Sequence, residues 1–381
     1  MFSKVCAQID ELFDEHLGVL VDVCNIESPT DDKSGVDAVG DYFVNIANKH
    51  GWQVERHREV RCGDAIAITM NPDVDKAPVV FSAHMDTVHP KGLFGYPPTR
   101  VEDGRVMGPG VCDCKGGAVA SLLAMSALER AGFGGRPIKL ILQSDEEVSS
   151  LYSEGRTVNF MAECAKGAVA FLKTEPCKGG VLTIERKGII RYIFDIKGMA
   201  VHSSLCFAGA SAIAEAAHKI IELERWKTPE GITCNCGTIE GGTVANTVPE
   251  HCRFVADIRY STDEEFAEVE RRVREIAEHS YVEGTECTLT VKSQRVSMPR
   301  YERNVALSEK IRKIFERAGL PPMEFVKSKG GSDASNISRY GIPTIDSIGL
   351  CGAYIHSPKE YAFVESLGDS ARMLAAIAFY I

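Results

Sequence analysis

The chain predicts an α/β fold, a mostly parallel sheet with flanking helices, into which a second α+β unit is inserted. Three observations carry that reading. Short apolar runs of β-formers alternate with amphipathic helical stretches in the first part of the chain. The middle then reads strand, helix, strand, strand, helix, strand, and helix–strand–helix alternation resumes before the C-terminus. At 381 residues the chain exceeds one ordinary domain and suggests two.

Val5, Ile9, Leu12, Phe13, Leu17 and Leu20 recur at the helical period. The stretch up to Gly51 reads as two helices, with that glycine where a helix ends. Residues 65–70 and 77–83 read as strands bounded by Pro, Gly and Asp. The second is apolar throughout, as in a strand buried on both faces. A helix over 117–130 and a strand over 138–143 follow. In the middle block, strands are expected over 191–197, 232–239, 253–260 and 287–291, with helices over 210–224 and 263–279: the ferredoxin-like order. A helix over 304–318, a strand over 343–348 and a closing helix over 366–379 complete the chain. The expected domains are 1–183 with 298–381, and 184–297 inserted between them.

Composition narrows the function. Mean hydropathy is −0.08, and no apolar run approaches the ~18 residues a membrane span needs, so a transmembrane protein is excluded. Forty-three basic against 53 acidic residues give a net charge of −10 and no basic stripe for nucleic acid. Thirteen scattered cysteines fit a reducing compartment. The charged, amphipathic opening residues lack a secretory apolar segment, so a cytoplasmic location is expected.

Candidate chemistry gathers at the carboxyl ends of the expected strands, where open α/β sheets bind ligands. In Ser82-Ala83-His84-Met85-Asp86-Thr87-Val88, His84 is a candidate metal ligand and Asp86 a partner for its other ring nitrogen. A solvated polar turn is the alternative. In Gly110-Val111-Cys112-Asp113-Cys114-Lys115-Gly116-Gly117, each oxygen of Asp113 could hold one ion. A structural zinc on Cys112 and Cys114 is disfavoured, because such motifs usually separate their cysteines by two to four residues. A phosphate loop lacks its spacing and its Ser/Thr.

Ser144-Asp145-Glu146-Glu147-Val148 sets three acids in a row, which repel unless a cation sits among them or water solvates the loop. Glu175, in Leu172-Lys173-Thr174-Glu175-Pro176, again stands where a strand ends. His356, in Tyr354-Ile355-His356-Ser357-Pro358-Lys359-Glu360, taken alone would more often be structural. Together these residues suit two divalent ions, zinc first, with manganese or cobalt as alternatives. Ions about 3.5–4 Å apart polarise a carbonyl and activate water. A free carboxylate, Glu146 or its neighbour, would take the water's proton and pass it to the leaving amine.

In this order, over nearly the whole chain, the motifs resemble the M20 group of di-zinc amidohydrolases. That group includes carboxypeptidases, tripeptidase T-like enzymes, deacetylases and succinyl-diaminopimelate desuccinylases. The segment at His84 matches its His-x-Asp-Thr-Val element, with Ala83 where Gly is usual. Asp113-Cys114-Lys115-Gly116-Gly117 resembles Asp-Met-Lys-Gly-Gly, with Cys114 in place of Met. Asp145-Glu146-Glu147 matches the paired glutamates and Thr174-Glu175-Pro176 the Glu-Pro element.

The resemblance implies a zinc-exopeptidase-like catalytic domain with a ferredoxin-like lid that commonly dimerises. It implies one ion on His84, Asp113 and Glu175, and the other on Asp113, Glu147 and His356. Glu146 would be general base and later acid, and Asp86 would orient His84. Lys197-Gly198-Met199-Ala200-Val201-His202-Ser203-Ser204 resembles the lid's Gly-x-x-x-His-Ser-Ser element. That implies His202 as a donor to the tetrahedral oxyanion, across the subunit interface in dimeric members. Segments 241–249 and 257–259 match lid elements, implying that Asn246 donates to substrate and that Arg259 pairs with its carboxylate. Gly330-Gly331-Ser332-Asp333-Ala334, followed by Gly341-Ile342-Pro343-Thr344, leans toward the tripeptidase T-like and aminopeptidase-like members.

The expected protein is therefore a cytoplasmic, homodimeric, metal-dependent exopeptidase acting on short peptides, without nucleic-acid or membrane partners. A deacylase of N-acyl amino acids is the rival of the same class. A non-catalytic binding protein keeping the fold, and a redox protein using Cys112 and Cys114, are the rivals of other classes.

Overall fold

The computed structural model describes residues 2–228 and 231–381. The chain forms two compact units: residues 1–185, 300–327 and 332–381, and residues 186–299 with 328–331.

The first unit is built on an eight-stranded sheet in the order Gln53–His57, Ala65–Met70, Ile138–Gln143, Val79–His84, Ala170–Lys173, Thr344–Asp346, Val181–Arg186, Glu324–Ser328. The four strands from Ile138–Gln143 to Thr344–Asp346 run parallel. Gln53–His57 with Ala65–Met70, Ala65–Met70 with Ile138–Gln143, and Thr344–Asp346 with Val181–Arg186 pair antiparallel, so the sheet is parallel at its centre and mixed at its margins. Strand residues alternate between two cores, as a pleated strand requires. Phe81, Leu140 and Leu172 join the core shared with helices Phe2–Asn25, Lys115–Arg130 and Glu365–Tyr380. Val80, Ile141 and Phe171 pack with Met161 of helix Arg156–Ala165 and Ile337 of helix Ala334–Arg339. Burial on both faces explains why Val79–His84 is apolar nearly throughout.

Gly51 ends helix Lys33–His50 at φ 70°, where a side chain would be strained. Lys115, fully buried, donates to the carbonyls of Val23 and Ile26 at 3.2 and 2.7 Å and so caps the end of the first helix. A small antiparallel sheet orders Gly352–Ala353, Tyr361–Phe363, Arg105–Met107 and Arg100–Glu102, and carries the loop of His356 between its first two strands.

The second unit is a four-stranded antiparallel sheet in the order Thr233–Gly241, His251–Tyr260, Gly188–Lys197, Glu286–Arg295. Helices Ala212–Arg225 and Asp263–Glu278 contribute to a core with Phe194, Phe254 and Ile258. Burial alternates along Gly188–Lys197, so one face of the sheet is covered.

Close approach of backbone fixes the start of helix Lys115–Arg130 against the end of strand Ala170–Lys173. A Cβ on Gly117 would stand 2.3 Å from the Thr174 carbonyl oxygen and 2.4 Å from its hydroxyl. Gly117→Ala should therefore cost about 1–3 kcal/mol as an overpacked contact. Urea unfolding checks this, and an unchanged midpoint would refute the contact.

Candidate metal centre

Parallel pairing aligns three carboxyl-terminal strand ends. His84 lies opposite Gln143 and Ser82 opposite Lys173. The turn carrying Glu146 and Glu147 and the segment carrying Glu175 therefore leave the sheet beside His84. Asp113 comes from the turn before helix Lys115–Arg130. His356 comes from the loop of the small sheet, held at φ 61°.

The His84 Nδ1–H donates to the backbone carbonyl of Asp86 at 2.9 Å. A carbonyl only accepts, so this bond leaves the Nε2 lone pair for a ligand. Nε2 lies 3.1 Å from Asp113 Oδ1 and 3.8 Å from Glu175 Oε1. The other oxygen of Asp113 is 3.2 Å from His356 Nε2, which is 3.4 Å from Glu147 Oε2. Asp113 thus presents one oxygen to each histidine, the arrangement a bridging carboxylate needs. Ligand-capable atoms of His84, Asp113 and Glu147 fall within 4.8 Å of one another, as do those of His84, Cys114 and Glu175.

Burial pushes the Glu147 carboxyl up to about 7, and the charges of Asp113 and Glu146 add to it. Burial likewise raises Glu175 to about 8, with Lys173 opposing and Asp113 and Glu146 reinforcing. Hydrogen bonds to Asp113 and Glu147 lift His356 to about 10. Burial opposes ionisation of Asp113, but the imidazoles of His356 and His84 hold it well below the usual range. The donor set is oxygen and nitrogen at ion-binding spacing, and Glu175 Oε1 is buried without a hydrogen bond. These residues fit a pair of divalent ions.

The Asp86 carboxylate lies 3.4 Å from His84 Nδ1. It accepts the backbone N–H groups of Glu146 and Glu147 at 3.2 and 3.1 Å and the Thr30 hydroxyl at 2.8 Å. Its main contacts fix the acidic turn, while its carbonyl orients the imidazole. Two contributors were not singled out from the sequence. Glu360, fully buried, accepts the backbone N–H groups of Cys112 and Asp113 at 3.0 and 3.1 Å and pairs with His89 at 2.7 Å. Lys173, fully buried, stands 3.3 Å from Glu175 Oε1. The two cysteines beside Asp113 face different partners: Cys112 donates to the Leu350 carbonyl, and Cys114 accepts the His84 N–H.

His202, Asn246 and Arg259 belong to the second unit. His202 and Asn246 are neighbours there, since Ser203 N–H donates to the Asn246 carbonyl at 2.9 Å and His202 bridges Thr247. His202 Nδ1 accepts the Ser204 N–H at 3.3 Å, which leaves the ring proton on Nε2. Arg259 donates to Asp257 through Nε at 3.2 Å and to the Lys329 carbonyl through Nη1 at 2.8 Å.

The model of peptidase family M20/M25/M40 matches residues 80–380. The chain is 28% identical over 363 residues to carboxypeptidase G2 of Pseudomonas sp. (strain RS-16), covering 93% of this chain and 86% of that protein. It is 25% identical over 365 residues to succinyl-diaminopimelate desuccinylase of Nitrosospira multiformis, covering 91% and 93%. In fold it is similar to the crystal structure of a tripeptidase from Staphylococcus aureus, with TM-score 0.81, 21% identity and coverage of 95% and 96%.

Ion binding at this centre should release protons, because ligands bind deprotonated. Affinity for zinc should therefore rise as pH passes through about 7 and about 8, where Glu147 and Glu175 ionise, and on toward about 10, where His356 loses its proton. Calorimetry in buffers of different ionisation enthalpy measures the release. An enthalpy independent of buffer would rule it out.

Proposed function

The chain belongs to peptidase family M20/M25/M40, and from that premise we propose that it hydrolyses an amide bond in short peptides as a metal-dependent exopeptidase. The observation that carries this reading is the placement of Asp113 between His84 and His356, one oxygen to each. In this reading His84, Asp113 and Glu175 hold one ion, and Asp113, Glu147 and His356 the other. Zinc is the first choice, with manganese or cobalt as alternatives. Such ions supply carbonyl polarisation and a water acidified toward neutral pH.

Glu146 takes the proton of the attacking water and returns it to the leaving amine. Its backbone amide is pinned by Asp86, which supports a fixed starting point for the side chain. His202 offers its Nε2 proton to the oxyanion, a role supported by the Ser204 bond that occupies Nδ1. Asn246, adjoining His202, donates to substrate, and Arg259 pairs with a substrate carboxylate. Nε and Nη1 of Arg259 already have one partner each, and the guanidinium's five N–H groups leave donors for a carboxylate beside them.

The second unit is the proposed lid and dimer surface. Leu205 and Phe207, just after His202, are exposed apolar side chains of the kind an interface covers. No described helix is long and apolar enough to cross a membrane, and the cysteines are free thiols. Both observations accord with a cytoplasmic site of action. The likeness to a desuccinylase favours one second reading, deacylation of N-acyl amino acids.

Product analysis by mass spectrometry on di- and tripeptides and N-acyl amino acids tests the proposal. Cleavage of free peptides is expected. It should fall about 10²–10⁴-fold in Glu146→Ala, the usual share of a general acid–base group, with metal content unchanged. Cleavage of acyl amino acids alone would select the deacylase, and loss of metal would make Glu146 a ligand. His202→Ala should lower kcat about 10²–10³-fold with little change in KM, as removal of an oxyanion donor does. Equal effects on both constants would dismiss that role.

A further inference from the structure

Cys114 is fully buried directly after Asp113, and its sulfur accepts the His84 backbone N–H at 3.2 Å. That contact places the sulfur at the foot of the residue whose ring faces Asp113 and Glu175. The ligand-capable atoms of His84, Cys114 and Glu175 lie within 4.8 Å of one another. This group is distinct from the His84, Asp113 and Glu147 group and shares only His84 with it.

A second observation concerns the carboxylate of the same group. Glu175 Oε1 is buried and accepts no hydrogen bond, and neither does the fully buried Lys173 ammonium beside it donate one. The two atoms face each other at 3.3 Å without a well-formed hydrogen bond, so the Glu175 oxygen keeps lone pairs for an ion, in competition with the ammonium. An ion binding sulfur at about 2.3 Å and nitrogen or oxygen at about 2.0–2.2 Å spans donors up to about 4.5 Å apart. A shift of a few tenths of an ångström brings this triad within reach. Cys112, two residues earlier, turns the other way and donates to the Leu350 carbonyl, so the orientation of Cys114 is particular to it.

We infer that the Cys114 sulfur is a direct donor to the ion held by His84 and Glu175, giving that position a mixed nitrogen, oxygen and sulfur set. This rests on the metal reading above and adds to it a donor and a preference. As the sulfur–ion bond forms, the thiol proton leaves to the buffer. A thiolate donor favours soft and borderline ions such as zinc, cobalt or cadmium over manganese and magnesium. Lys173 is the competitor, because its ammonium faces the same carboxylate.

The test uses the full chain, stripped with chelator and titrated with cobalt(II), with bound metal counted by mass spectrometry. A near-ultraviolet thiolate-to-cobalt charge-transfer band should grow with bound cobalt. It should vanish in Cys114→Ser while the visible ligand-field bands and a folded circular-dichroism spectrum remain. Zinc-over-manganese preference should fall by about tenfold or more in Cys114→Ala, since even an outer partner of a ligand is worth about that much affinity. Wild type that binds cobalt in full without the band would overturn the inference, as would a band that persists in Cys114→Ser. Wild type that binds no ion would instead overturn the metal reading itself, and this inference with it.

Discussion

Four carboxylates, Asp113, Glu146, Glu147 and Glu175, meet the buried imidazole of His84 and the half-exposed one of His356, and the first unit is organised around balancing that charge. Like charges in low dielectric cannot all ionise, and Glu147 and Glu175 accordingly hold their protons to about 7 and about 8. His84, His356 and Lys173 supply the positive side without ions present. Two divalent ions would do the same work with fewer protons. The centre therefore has two ways of offsetting its carboxylates, by protons or by ions.

Carboxylates close in sequence and space take unlike jobs because their surroundings differ. Asp86 and Glu360 are fully buried acids whose oxygens are turned to backbone N–H groups. They act as rigid struts that fix the acidic turn and the Asp113 segment, and they are not oriented as ligands. Asp113 has no such duty for its side chain, so both its oxygens face the histidines. Parallel pairing of Val79–His84 with both its neighbours makes these positions converge. A slip of one residue would turn each side chain to the opposite face.

The central strands and the ferredoxin-like order were legible because burial on two faces, or one, imposes distinct apolar patterns. His84, Asp113 and Glu147 stand at strand ends or beside glycines, where local chemistry pointed to a ligand. His356 was legible only through resemblance, since its neighbours read as an ordinary turn. The hairpin of Arg100–Glu102 and Arg105–Met107 was passed over although Asp103-Gly104 is a two-residue turn with both φ values positive. Helix Arg156–Ala165 had its apolar period at Val158, Met161, Ala162 and Ala165, but a long run of turn residues before it hid the start. Lys173 and Glu360 left no local signal. A buried lysine looks like any polar strand residue, and the Glu360 contacts join positions 247 to 271 residues apart.

That last separation bears on how the protein is made. Chains emerge from the ribosome N-terminus first, and distant contacts wait for their second partner. His84, Asp113, Glu147 and Glu175 are all synthesised well before Glu360, the residue that holds the Asp113 backbone in place. A nascent chain therefore carries most of its acidic cluster unbraced until the final segment arrives. Completion of the centre thus waits on a residue 247 to 248 positions beyond the segment it braces.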